Sequence, residues 1–215
     1  MHVLADHADD ILTAFALTIR LAAMSALCAV VLGVILAAMR VSPSPPVRLA
    51  ATSYVNVFRN TPLLLLFILF VFGLPTLNLQ MSFYWRAVIA LSAYTAAFVC
   101  EAVRSGINTV DRGQAEAARA IGMTFGKTLR YVVLPQAIRA AIPPIGSILI
   151  ALARNTSIAE AFGNREATYQ LDSLARDFPD ALYWLFGGIA LGYVILCLLI
   201  AAVFRLLEHR LAVGR

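Results

Sequence analysis

Apolar residues fall in five long runs separated by shorter polar stretches. The first extends from about Ile11 to Met39, interrupted only by Arg20, and stops at the turn Ser42-Pro43-Ser44-Pro45-Pro46. The second covers about Arg48 to Leu74, with Arg59-Asn60-Thr61-Pro62 inside it, and the third about Phe83 to Val103. The fourth, about Tyr131 to Ala153, carries Pro135, Pro143 and Pro144; the fifth runs from about Leu182 to Leu206. A spanning helix needs roughly 20 mostly apolar residues, so the pattern predicts about five transmembrane helices with short connections. The expected fold is therefore all-α and polytopic, a single transmembrane domain over residues 1–215 with no internal repeat. Pro62 is predicted to kink the second helix. The first run is long for one span, which predicts either a tilted helix or first turns in the outer interface with Arg20 snorkelling toward water.

Composition supports a lipid solvent. Hydrophobic residues make up 61% of the chain and charged ones 13%, against roughly 45–50% and about 25% in soluble domains. A mean hydropathy of +0.82 over 215 residues exceeds what one soluble core absorbs. The net charge of +5 would raise nucleic-acid binding in a soluble protein; here it reads as topology, and no nucleic-acid partner is expected. Arg40 and Arg48 flank the first loop, while Arg104, Arg112, Arg119, Lys127 and Arg130 crowd the connection between the third and fourth runs. These loops are predicted to be cytoplasmic by the positive-inside rule. Arg205, Arg210 and Arg215 put the C-terminus on that side. The acidic N-terminal tail (Asp6, Asp9, Asp10) and the uncharged loop from Pro75 to Ser82 fall outside, as does the mixed segment from Arg154 to Asp180. The tail lacks the positive start of a signal peptide, so no cleavage is expected. Cys28, Cys100 and Cys197 lie within apolar runs without metal-ligand spacing and read as buried soft side chains; no metal site is expected.

The stretch from Asp111 to Arg130 is polar, helical in pattern and set between two spans, which predicts a helix pair on the membrane face. Asp111 and Gln114 have capping-box spacing for a helix from about Arg112 through Ala120. Gly122 is placed to end it in the left-handed conformation, and Thr124 to cap a second helix. Gly122 to Thr128, GMTFGKT, resembles a phosphate-binding loop, but three residues separate its glycines where that loop needs four, and no strand precedes it. ATP binding is not expected in this chain.

The run EAARAIG, Glu116 to Gly122, followed by Leu134-Pro135, resembles the cytoplasmic signature of binding-protein-dependent ABC importer permeases. The runs YVNVFRNTPL from Tyr54, Ala93-Tyr94 through Glu101 to Ile107, Gly113 to Ala118 and Leu134-Pro135-Gln136-Ala137 resemble the polar amino-acid branch. Met39 to Pro43, Ser105 to Val110, Leu152 to Ile158 and Arg210 to Val213 are similar to actinobacterial glutamate permeases. The resemblance implies the type I ABC importer permease fold, with Gly113, Glu116, Ala117, Ala118 and Gly122 forming the coupling helix that docks on an ATPase subunit. It further implies a dimer of ATPase subunits binding ATP and Mg, a second permease subunit, homologous or identical, and an extracellular substrate-binding protein. The location implied is the bacterial inner membrane and the cargo a polar amino acid, glutamate first, with glutamine or a cationic amino acid as alternatives.

Two places are candidates for the substrate pathway. Glu101 is an intramembrane carboxylate, a functional candidate by default, with Arg104 three residues on and Arg59 expected from the second span. A structural ion pair and a ligand contact both remain open there. Asn155, Thr156 and Ser157 follow the fourth run, and read either as a helix break lining a water-filled path or as an ordinary outer loop. Related permeases often carry an acidic residue at the position of Asn155, which would suit a cationic cargo; a neutral Asn155 favours a neutral or acidic one. Among rival classes, an ion-coupled secondary transporter would be expected to show a repeat and paired intramembrane ionisable groups. A membrane enzyme needs convergent catalytic groups, yet His2, His7 and His209 all lie in the tails. No catalytic residue is assigned.

Overall fold

The computed structural model describes residues 2–212, all of its regular structure helical. Arg215 and Val213, used above for topology and resemblance, lie outside the described residues. A short helix α1 (His2–Asp6) leads into α2 (Ala8–Arg40), 33 residues long, which at 1.5 Å per residue is about 50 Å and exceeds a bilayer core of about 30 Å. α3 (Pro45–Asn60) and α4 (Leu63–Ile68) follow, then a π-helical turn at Leu69–Gly73 and α5 (Leu74–Thr76). α6 (Phe83–Thr109) precedes the pair α7 (Arg112–Ala120) and α8 (Phe125–Thr128). A second π turn, Leu129–Val133, opens α9 (Leu134–Asn155), which tightens into a 3-10 helix at Thr156–Phe162. α10 (Ala167–Asp177) and α11 (Leu182–Ala212) complete the chain.

Four helical stretches are long and apolar enough to cross a membrane, five if the pair α3 and α4–α5 counts as one broken span. The kink expected at Pro62 is a full interruption: α3 ends at Asn60, whose side chain donates to the Asn56 carbonyl at 2.7 Å, and Pro62 supplies extended backbone before α4. Pro143 and Pro144, in contrast, stay inside a continuous α9.

The chain clusters into two compact units, each assembled from separated stretches. The first takes residues up to Cys28, Thr61–Ser92 and Leu149–Ile200. Its packing depends on small residues: Ala22, Ala153 and Leu196 share a core with Ile200, and Gly192 admits the Phe15 ring so closely that a Cβ there would stand 2.2 Å from it. Such close helix approach is what holds helices together where lipid is as apolar as the side chains. Arg86 donates to the carbonyls of Met81 (2.8 Å) and Val71 (2.9 Å) and lies over the Phe83 ring. The Val71 carbonyl sits in the first π turn, where the helical hydrogen-bond ladder slips, and Arg86 satisfies it. Arg20, expected to snorkel, lies over the Tyr84 ring, whose hydroxyl donates to the Arg20 carbonyl.

The second unit takes Ala29–Asn60, Ala93–Ile148 and the residues from Ala201 on. Tyr54 donates to the Ala93 carbonyl at 2.8 Å, joining α3 to α6. Gly106 faces the Ala137 carbonyl, which any Cβ would meet at 2.3 Å. Outward faces of the long helices carry many apolar side chains, with Val31 and Leu206 exposed in this unit and Leu27 and Leu198 in the first. Cys28 is on such a face and is exposed, against the expectation that all three cysteines are buried; Cys100 is buried and Cys197 half-buried. In a chain solvated by lipid both faces of a helix are apolar, so hydrophobicity alone does not mark the inner one.

Candidate functional site

The polar segment between α6 and α9 is built by local rules. Asp111 accepts from the Gly113 amide at 2.7 Å and starts α7. A Cβ on Gly113 would approach that cap oxygen to 3.2 Å. The reciprocal half of the predicted capping box does not form, because the Gln114 side chain accepts instead from Gln136 of α9 at 2.6 Å. Gly122 ends the helix at φ +85°, with its amide donating to Arg119 and that of Met123 to Ala118. Only glycine takes this conformation without strain. Thr124 caps α8 through the Lys127 amide. Ala118 is buried against the unit, whereas Glu116, Ala117 and Ile121 face out, Ile121 being 81% exposed. Beside α7 a hollow of about 530 Å³ is lined by Val41, Ile107, Val110, Phe125 and Leu129.

Also in the second unit, Glu101 is the centre of an ion cluster. Its carboxylate pairs with Arg40, with Arg59 at 3.2 Å and with Arg104 at 2.9 Å. The Arg59 guanidinium also lies over the Phe98 ring. The sequence brought Arg59 and Arg104 into view; it missed Arg40, which is the least exposed of the three at 16%. Three guanidiniums against one carboxylate leave a formal excess of two positive charges. The ion-pair reading of Glu101 therefore describes its contacts, and the excess charge leaves the place attractive to an anion.

In the first unit, Asn155, Thr156 and Ser157 stand where α9 gives way to the 3-10 helix, which Gly163 terminates at φ +82°. The segment is a change of helix type, neither an unwound stretch nor an ordinary loop. Thr156 is fully buried and donates to Ala153; Ser157 donates to Arg154. Both hydroxyls turn back on the preceding turn, while the half-buried Asn155 side chain makes no hydrogen bond to any described residue.

A carboxylate the sequence did not single out lies in the same unit. Glu166, 1% exposed, caps α10 by accepting from the amides of Thr168 (2.8 Å) and Tyr169 (3.1 Å). Its other oxygen accepts from the Tyr193 hydroxyl of α11 at 2.5 Å and from Thr18 of α2 at 3.5 Å. Thr18 in turn accepts from the Ala167 amide at 3.0 Å. Burial pushes the Glu166 carboxyl above its ordinary value, and the donors from Tyr193, Thr168 and Tyr169 pull it only partly back. The signal available in the sequence was Tyr193, a hydroxyl in an otherwise apolar run, which must find a partner when buried.

Among the described residues no group of His, Cys, Asp and Glu could hold a metal. The segment resembling a phosphate-binding loop contains the four-residue helix α8 and the turn at Gly122, with no strand before it among the described residues.

The chain is 42% identical to the glutamate transport system permease protein GluC of Corynebacterium glutamicum over 98% of both chains. It is 32% identical to the glutamate/aspartate import permease protein GltJ of Escherichia coli K12, covering 91% of this chain and 85% of that one. Among solved structures, an amino acid ABC transporter crystallised with histidines superposes with a TM-score of 0.86 at 30% identity over 97% of each chain. The pattern of the binding-protein-dependent transport system inner membrane component matches residues 29–213, and the chain belongs to that family of ABC importer permease subunits.

Proposed function

We propose that this permease forms half of the membrane pathway of an importer for an acidic amino acid, glutamate, and that ATP is bound and hydrolysed on separate subunits. The observation that carries the coupling role is the shape of the α7 segment: Glu116, Ala117 and the apolar Ile121 are presented outward on a short helix pinned at both ends by Asp111 and Gly122. An exposed apolar side chain beside an acidic one on a rigid stub suits docking into a partner's groove. In this reading an ATPase dimer binds ATP and Mg, its closure moves α7, and the spans alternate between outward and inward access. A second permease, identical or homologous, completes the pathway, and an extracellular binding protein delivers the amino acid. The arginine-rich loops support an inner-membrane arrangement with the N-terminus outside and the C-terminus in the cytoplasm.

The cargo follows from two features. Whole-length similarity to glutamate permeases points to an acidic amino acid, and Asn155 offers a neutral amide with unused hydrogen-bonding capacity where the pathway is expected to pass. Uptake of labelled glutamate, glutamine and arginine in a strain lacking this gene is the direct test, with glutamate uptake expected to fall most. If none of the three changes, the reading is wrong. Asn155→Asp should reduce uptake of glutamate more than that of glutamine, because a carboxylate at that position repels an anion. Equal uptake of both would remove Asn155 from the pathway.

A further inference from the structure

Two hydrogen bonds from one side chain of the second unit tie α7 to the head of α9. The Gln136 amide nitrogen donates to the Gln114 side-chain oxygen at 2.6 Å and to the Val132 carbonyl at 2.8 Å. Chemistry fixes the direction of both bonds. A backbone carbonyl only accepts, so the nitrogen of Gln136 must face Val132, and its second proton then selects the oxygen of Gln114. Gln114 stands at the third position of α7, where its side chain could have closed the capping box on Asp111. That local bond is given up for a partner 22 positions away.

The covalent route from α7 to α9 is soft by comparison. It runs through the turn at Gly122 and the four-residue α8 into the π turn at Leu129–Val133. There the Leu134 amide donates to the Leu129 carbonyl, one residue beyond the α-helical register, and Pro135 then contributes no amide at all. The side-chain route bypasses this junction. Gln136 is fixed to α7 on one side and to the slipped turn on the other, and the next residue, Ala137, is seated on α6, where a Cβ on Gly106 would meet its carbonyl at 2.3 Å. We propose that Gln114 and Gln136 are a positioning pair that carries movement of α7 into α9, so that closure of the ATPase is passed on through one inter-helix hydrogen bond. This rests on the reading of α7 as the element that docks on the ATPase. Neither glutamine touches cargo or nucleotide in this scheme; the pair sets how much of each ATP-driven displacement reaches the spans.

The test uses the complete transporter, with its ATPase, partner permease and binding protein, in proteoliposomes. Two quantities are read: amino acid imported per ATP hydrolysed, and retention of the ATPase on the permease during purification. Gln114→Leu deletes the acceptor while keeping much of the side chain's bulk, and the import ratio should fall about fivefold, the equivalent of a hydrogen bond of about 1 kcal/mol. Gln114→Glu returns an acceptor to the Gln136 nitrogen and should bring the ratio back close to that of the wild type. Adding Gln114→Leu to Gln136→Leu should lower it no further than Gln136→Leu alone, because the two substitutions remove the same inter-helix bond. A packing role predicts the opposite ranking, with Leu tolerated and Glu not. That ranking, an unchanged ratio in Gln114→Leu, or additive losses in the double variant overturns the proposal. Ile121→Asp, which charges the exposed apolar residue of α7, separates the two claims. If it releases the ATPase while Gln114→Leu keeps the ratio, the docking reading stands and the positioning pair is wrong. If the ATPase stays bound and transport is unchanged, α7 is not the docking element and the positioning role falls with it.

Discussion

Glu101 and Glu166 are both carboxylates in the apolar body of one chain, and they are accommodated in opposite ways. Glu101 is surrounded by the guanidiniums of Arg40, Arg59 and Arg104; Glu166 has no cation within ion-pair distance among the described residues and is held by hydroxyls and backbone amides. The first solution leaves surplus positive charge. The second brings no cation, and burial favours the neutral carboxyl. A carboxylate can be matched by several cations or held by neutral donors that fix its orientation, and this chain uses both.

Removing each carboxylate breaks the comparison most sharply. Glu101→Ala strips the counter-charge from three guanidiniums and should cost about 3 kcal/mol, seen as a fall in melting temperature of the detergent-solubilised protein. Restoring part of that loss by adding Arg40→Ala is expected, since like charges then repel less; additive losses would show that repulsion is not the cause. Glu166→Ala loses a helix cap and its hydroxyl partners, a smaller cost of about 2 kcal/mol by the same measurement. Outside both clusters, Gly122→Ala forces a Cβ into the left-handed region at φ +85° and should cost about 1 kcal/mol, with ATP-coupled transport reduced because the α7 stub loses its fixed end.

The smallest expected effect concerns pH. Because the Glu166 carboxyl is raised above its unfolded value, the fold favours its neutral form. That contribution is fully present below the unfolded pKa and is lost as pH rises through the folded one. Melting temperatures of the wild type should therefore fall with rising pH across that window relative to Glu166→Gln, which titrates nothing there. Parallel pH curves would mean that the carboxyl is not shifted.

What could be read from sequence follows from the range of the interactions. The caps at Asp111 and Thr124 and the turn at Gly122 depend on residues within a few positions of one another, and their chemistry is local. Arg104 was legible because it is one helical turn from Glu101. Arg40 is 61 residues from that carboxylate, and nothing in its own surroundings marks it as anything but a flank of a positive loop. Glu166 read as one of several charges in a mixed outer segment, since burial is a property of the whole unit. Proline was an unreliable guide: Pro62 breaks its helix after the cap at Asn60, while Pro143 and Pro144 are absorbed into α9.

The pairing of Thr18 with Glu166 also sets a clock. The two residues are 148 positions apart, so at about 5–20 residues per second the ribosome needs roughly 7–30 s after making Thr18 before its distant partner exists. In the finished fold the Thr18 hydroxyl lies 3.1 Å from the Ala14 carbonyl of its own helix and 3.5 Å from Glu166, so its single proton has a local acceptor that does not depend on the distant one. The hydroxyl of the first span therefore has an acceptor before Glu166 is made, and its link to α10 through the Ala167 amide follows once that segment exists.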